Sequence, residues 1–323
     1  MQSLLSLAFT LALVVPVLGQ LPAIKPKPVT GARHPALSPD GKKIAFVYRG
    51  DIWTASSSGG RARPLTFHLE YDAYPAFSPD GNWIAFGSKR NGNWDIFIMP
   101  SDGGTARQLT WHSGHELPFG WSPDGQNIAF TGMRDAPYYT IYSVNAATFK
   151  TKEIVKDYAA MRYPRWSPDG SKMVYSRYGM PWYRPRYRGA AAMQVWVWDF
   201  KNSKRQKILA EDRQLLFSQF MPDGKNILLV TTQEATPTLA KLNDNPGKFK
   251  DNAKRTPNLC VMDLNGKIRQ LTQFKEDSVR YPSVAGKSGD IAFEHLDGIW
   301  LLKKGTTKPQ PIQFLINVDE KRN

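Results

Sequence analysis

The sequence has one cysteine, Cys260, so no disulfide can form within the chain and the fold must rest on packing and hydrogen bonds. Histidine is almost as scarce, with only His34, His68, His112, His115 and His295. None of them stands at the i, i+4 spacing of a helical zinc site. No Gly-x-Ser-x-Gly elbow occurs, so the sequence offers no recognisable serine nucleophile. No apolar run reaches the roughly 20 residues of a membrane-spanning helix. Acids are also in deficit, 28 against 43 Lys and Arg, for a net charge of +15 and a pI near 9.7. That balance favours partners with acidic surfaces. It does not by itself argue for nucleic acid, since no nucleic-acid module is recognisable.

No charge precedes Lys25, and residues 4–17 form an apolar run of signal-peptide length. Val17-Leu18-Gly19 offers small residues for cleavage, leaving Gln20 as the new terminus. The segment Met1-Gln2-Ser3 lacks the usual basic residue, and a buried first strand is the alternative; the Pro-rich stretch that follows disfavours it. The expected organisation is a signal peptide over 1–19, an extended lead-in over 20–33, a main domain over 34–316 and a charged tail over 317–323. Export to a bacterial periplasm, or secretion, is the corresponding expectation. The mature chain then has no membrane span.

What the sequence has in abundance is one motif. Ser38-Pro39-Asp40-Gly41, Ser78-Pro79-Asp80-Gly81, Ser122-Pro123-Asp124-Gly125 and Ser167-Pro168-Asp169-Gly170 recur, with Met221-Pro222-Asp223-Gly224 as a fifth copy. Around Pro282 a sixth frame keeps Tyr281-Pro282 and Ile291-Ala292-Phe293 but has lost the turn residues. Successive turn aspartates lie 40, 44 and 45 residues apart from Asp40 to Asp169. Proline presets φ, aspartate caps the turn, and glycine supplies the positive φ that closes a hairpin. A third strand follows at pairs such as Ile52-Trp53 and Ile96-Phe97, and a fourth at Arg63-Pro64-Leu65-Thr66 and Arg107-Gln108-Leu109-Thr110. Four strands per unit and six units predict an all-β, six-bladed β-propeller of four-stranded antiparallel blades. Cys260 falls where sister blades carry aromatics and reads as a buried hydrophobe. Two segments compete to close the ring: Lys27-Pro28-Val29-Thr30 and residues 311–314.

The Tyr-Pro-x-Phe-Ser-Pro-Asp-Gly-x-x-Ile-Ala-Phe repeats resemble the TolB-like, WD40-like propeller family. A tighter resemblance lies in Arg49-Gly50-Asp51-Ile52-Trp53, Gly92-Asn93-Trp94-Asp95-Ile96-Phe97 and Arg186-Tyr187-Arg188-Gly189. Leu65-Thr66-Phe67-His68 and Leu109-Thr110-Trp111-His112 belong with them. Together these resemble the amino-terminal propeller of tricorn-type proteases, over about residues 31–314. The resemblance implies a propeller that forms part of a passage for peptides, beside a protease domain or subunit. No catalytic residue of that family has a position here to be carried onto.

The candidate sites are few. His112-Ser113-Gly114-His115-Glu116 clusters possible metal donors, but Gly114 and Pro118 make it a loop without a metal-site spacing, so no metal is assigned. One carboxylate per Pro-Asp-Gly turn cannot assemble a calcium shell, which leaves those aspartates as caps. No motif asks for a cofactor. The strand order puts two long insertions, 176–193 and 231–257, at the end opposite the Pro-Asp-Gly turns. The first carries Trp182, Tyr183, Arg184, Arg186, Tyr187 and Arg188 with no acid among them. Guanidinium groups interleaved with aromatics suit carboxylates and planar groups. The competing reading has these arginines pinned to acids of a neighbouring blade. The expectation is a non-catalytic module that binds peptides or acidic protein surfaces there, with His112 and His115 at the same end. A TolB-like envelope scaffold is the alternative.

Overall fold

The computed structural model describes residues 26–179, 191–208, 214–232 and 256–317. Within them the chain forms strands, turns and bends, and no helix. Six four-stranded antiparallel sheets follow one another along the sequence, each in simple meander order. Blade one comprises Arg33–Leu37, Lys43–Tyr48, Asp51–Ser56 and Arg63–Pro64. The first strands of the remaining blades are Asp72–Phe77, Glu116–Trp121, Met161–Trp166, Leu216–Phe220 and Arg280–Val284. Each first strand packs against those of both neighbouring blades, so the six close a circuit around a central channel. The six-bladed propeller expected from the repeats is what the chain forms.

The repeated Ile-Ala-Phe of the second strands has a packing reason. Ile84 and Phe86 face blade one, in the same apolar cluster as Ala45 and Val47, while Ala85 turns to Ile128 and Phe130 of blade three. Large side chains point to the preceding blade and the small alanine receives those of the next. This large-on-small alternation fills the space between twisted sheets. Each of the six inter-blade gaps holds one such cluster; Cys260, 1% exposed, lies in that between blades four and five.

Both candidate closing segments are used. Blade six completes itself with Gln310–Ile312, its own fourth strand. Phe314–Ile316 then pairs antiparallel with Lys27–Pro28 and parallel with Gly60–Arg61 at the edge of blade one. Phe314 stacks on Phe46 of blade one at 4.4 Å between ring centroids, with 2% of its surface exposed.

The turns follow the motif. Ser78 donates its hydroxyl to Asp80, whose carboxylate also accepts the Asn82 N–H, while the Trp83 N–H donates to Ser78 Oγ. The same set recurs at Ser38, Ser122 and Ser167. Gly81 at φ 82° closes the turn and packs against Pro39 of the preceding blade. Blade six keeps its place without the motif because the Lys287 and Ser288 N–H groups donate to the Pro39 carbonyl.

Candidate binding site

The channel is built from an irregularity that every first strand shares. In each, the pairing register slips by a β-bulge: between Arg33 and Ala36, Ala73 and Ala76, Pro118 and Gly120, Arg162 and Arg165, Leu216 and Gln219, and Arg280 and Ser283. The bulged residues are His34, Tyr74, Phe119, Tyr163, Phe217 and Tyr281. All but Phe119 sit at φ between 44° and 57°. A non-glycine residue there costs about 1–2 kcal/mol, so something must hold it. What holds it is a collar. Ring centroids run His34–Tyr74 4.4 Å, Tyr74–Phe119 6.5 Å, Phe119–Tyr163 5.2 Å, Tyr163–Phe217 4.9 Å, Phe217–Tyr281 4.8 Å and Tyr281–His34 4.4 Å. Every blade contributes one ring and the circuit is unbroken. Beside the collar is a lumen of about 50 Å³. At ~30 Å³ per water, that is space for a water or two and not for a polypeptide. The open peptide passage implied by the resemblance is therefore shut at this level.

The collar sets its own electrostatics. Burial, and then the Arg33 charge, lower the His34 imidazole to about 3, so it stays neutral. Burial raises Tyr163 and Tyr281 well above the ordinary phenol value, and the Arg162 charge acts against that on both.

On the side of the Pro-Asp-Gly turns the channel widens into a vestibule of about 350 Å³. Its lining includes Pro39, Pro79, Pro123, Pro168 and Pro222, one from each of five turns, with Lys287 at the sixth. Trp121, Trp166 and Arg165 also line it, and the lining contains no Asp or Glu.

The opposite end carries the inter-blade connections, and here the alternation of strand direction puts the second turn of each blade. Buried ion pairs brace it: Arg90–Asp72 at 3.0 Å, Arg134–Glu116 at 2.5 Å and Arg177–Asp157 at 2.7 Å. Asp72 and Glu116 open the first strands of blades two and three, and Asp157 lies in the connection before that of blade four. Each meets an arginine at or just past the end of its blade's second strand. The Leu-Thr pairs of the sequence are latches at the same end. Thr66, Thr110 and Thr272 accept the N–H of Ile52, Ile96 and Leu259, tying each short fourth strand to the third.

The histidines of this end brace their own loops. His68 Nδ1 accepts the Glu70 N–H at 3.0 Å, and His112 Nδ1 accepts the Gly114 N–H at 2.9 Å. His115 Nδ1 takes the Trp94 N–H at 3.4 Å. Among the described residues no group of three or more His, Cys, Asp or Glu is placed to hold a metal. Both insertions leave from this end, between Lys172–Arg177 and Gln194–Asp199 and between Asn226–Thr231 and Asn258–Asp263. Trp182, Tyr183, Arg184, Arg186, Tyr187 and Arg188 lie outside the described residues. The 1–19 segment does too.

Two features were missed by reading the sequence. The tyrosine of the repeated Tyr-Pro is the bulge residue of the collar. Repetition of an aromatic one residue before proline was the available signal. The other is an apolar display on the connections. Phe67 is 74% exposed, Leu69 99%, Trp111 64% and Tyr158 93%, on three consecutive inter-blade segments.

Comparison with known proteins bears on the fold. The tricorn protease N-terminal beta propeller domain matches residues 30–308. Among solved structures, the tricorn protease is 20% identical with a TM-score of 0.66, covering 87% of this chain but only 26% of that one. TolB from Acinetobacter baumannii is 17% identical with a TM-score of 0.60, over 88% of this chain and 65% of that one. The chain thus spans about a quarter of the tricorn protease and just under two thirds of that TolB.

Proposed function

The chain belongs to the family of the tricorn protease N-terminal β-propeller domain, and we propose that it is an exported, non-catalytic binding module for peptides or acidic protein segments. The working face is the end that carries the inter-blade connections. The observation that carries this reading is the set of exposed side chains there. Phe67, Leu69, Trp111 and Tyr158 are exposed on consecutive connections, Trp111 with its ring 5.9 Å from that of Phe149. The two insertions rise from the same end, and the first brings Arg184, Arg186 and Arg188 beside aromatics. Long loops on a rigid scaffold are where binding concentrates. An excess of 15 positive charges supplies the complement to an acidic ligand.

The peptide would be gripped on this face, because the collar leaves no route through the ring. A partner protease domain or subunit would receive or present peptides there. A TolB-like envelope scaffold would use the same face for a folded protein, so binding of isolated peptides separates the two.

The test is titration of an acidic peptide against the mature chain at low and high salt. Replacing Arg184, Arg186 and Arg188 together by Ala is expected to weaken binding by about 1–3 kcal/mol and to flatten its salt dependence, with the fold intact. An unfolded triple variant would mean that the arginines are internal struts. Binding unaffected by the substitutions would remove the proposed anchors. Incubated with unstructured peptides, the chain alone is expected to leave them uncut.

A further inference from the structure

The arginines of the propeller wall are not alike. Arg90, Arg134, Arg177 and Arg280 each meet a carboxylate of Asp or Glu. Arg165, in the first strand of blade four, meets none: its side chain makes no hydrogen bond or ion pair among the described residues. It is half-buried in the wall of the vestibule, directly below the collar. Burial lowers it to about 10, so it is still a cation at neutral pH. Its guanidinium faces the vestibule, and the vestibule lining holds no Asp or Glu to pair with it.

The chain makes room for this guanidinium. At the position after the bulge, blades one to three carry Ala36, Ala76 and Gly120, while blades four to six carry Arg165, Gln219 and Ser283. A Cβ on Gly120 would stand 2.7 Å from Arg165 Nη1, and Gly120 does not occupy the left-handed region that would otherwise explain a glycine. The missing Cβ leaves the guanidinium its present place beside Gly120. Gln219 and Ser283 are already engaged, with Pro282, Val284 and Leu37. Arg165 alone keeps its donors free. At the mouth, where five blades place a proline, Lys287 adds a second cation.

We propose that the vestibule on the Pro-Asp-Gly side is a binding site for a carboxylate with an apolar body. The carboxylate pairs with Arg165, and the body lies among the prolines, Trp121 and Trp166. A planar guanidinium with free donors matches a carboxylate in two parallel hydrogen bonds. The collar makes the site a dead end, so the charged group enters first and the rest trails toward the mouth. The site is separate from the loop end proposed above and does not depend on it.

The discriminating probes are N-acetyl-leucine and N-acetyl-leucinamide, equal in shape and different in charge, titrated against the mature chain by ligand-observed NMR. The acid is expected to bind at least 10-fold more tightly than the amide, and Arg165→Met to erase that difference without lowering thermal stability. Gly120→Ala, which keeps the charge but displaces it, is expected to weaken the acid as well. The preference is expected to persist when Arg184, Arg186 and Arg188 are all Ala, which separates this site from the loop end. A hexapeptide with a free carboxyl terminus forms a further arm: tighter binding than N-acetyl-leucine assigns the site to chain ends, and equal binding assigns it to small acids. Equal affinity of acid and amide, or a preference that survives Arg165→Met, would overturn the proposal. If Arg165→Met fails to fold, the acid–amide comparison in the parent and in Gly120→Ala still decides it.

Discussion

The two ends of the propeller are built on opposite plans. At the Pro-Asp-Gly end, short turns repeat nearly unchanged: Asp40, Asp80, Asp124 and Asp169 are each held by a serine hydroxyl and a backbone N–H, and Asp223 by Asn226 and backbone N–H groups. Gly81, Gly125, Gly170 and Gly224 face the proline of the preceding turn. At the connection end, loops differ in length and composition, and order comes from buried ion pairs and threonine latches. The first plan spreads stability over many small, solvent-facing contacts. The second concentrates it in a few charges removed from water. An end held by a few internal braces can vary its loops freely, and there the exposed apolar side chains and both insertions are found. The uniform end can be recessed and rigid, and there the vestibule sits.

The contrast would break most visibly at a buried ion pair. Arg134→Ala leaves Glu116 fully buried without its partner and is expected to cost about 3–5 kcal/mol in denaturant unfolding. A loss below 1 kcal/mol would show that the pair is not what holds that end.

Next in size is the collar. Phe217 lies at φ 56°, where glycine is at ease and alanine is not. Both Phe217→Ala and Phe217→Gly lose the ring, but the glycine variant is expected to be the more stable by about 1 kcal/mol, the reverse of the usual order in a strand. Alanine as the more stable would mean that the bulge relaxes when the ring goes.

At the turn end the expected effects are smaller. Asp80→Ala removes acceptors for Ser78 and Asn82 at an exposed turn and is expected to cost about 1 kcal/mol. The Ser78 hydroxyl, followed by the Asn82 N–H, holds the Asp80 carboxyl below its ordinary value. That stabilisation is present above the unfolded-state pKa and fades as pH falls through the lower folded one.

Asp95, at the connection end, runs the other way. Burial first, and the Glu116 charge second, push it up to about 7 from an ordinary value of 3.8. The unfolded chain releases this proton more readily than the folded one, so stability falls as pH rises between those two values. Asp95→Asn is expected to flatten that slope, as read from melting temperature against pH. An unchanged slope would assign it to another group.

Much of this architecture is legible in the sequence. The Pro-Asp-Gly copies fix blade number because proline, aspartate and glycine act on local backbone, and local chemistry reads directly from sequence. Ring closure was not so legible. Lys27-Pro28-Val29-Thr30 and residues 311–314 compete in the sequence for one closing role, and only the pairing of Phe314–Ile316 with Lys27–Pro28, beside that of Gln310–Ile312 within blade six, reveals two separate jobs. The collar was hidden for a similar reason. A bulge is a relation between two strands, so Tyr74 gives no local sign that it will adopt a positive φ. Arg165 was hidden because an unpaired charge is defined by what does not surround it. His68 and His112 stand at the same position of two blades, and each accepts a backbone N–H within its connection.

The most direct test of the account is amide hydrogen exchange, read by mass spectrometry, with and without a saturating acidic peptide. Added protection is expected on the connections at 65–71, 109–115 and 156–160 and on the insertions at 176–193 and 231–257. The Pro-Asp-Gly turns should exchange as before. Protection centred on those turns, with the connections unchanged, would place the working face at the wrong end and contradict the proposed function.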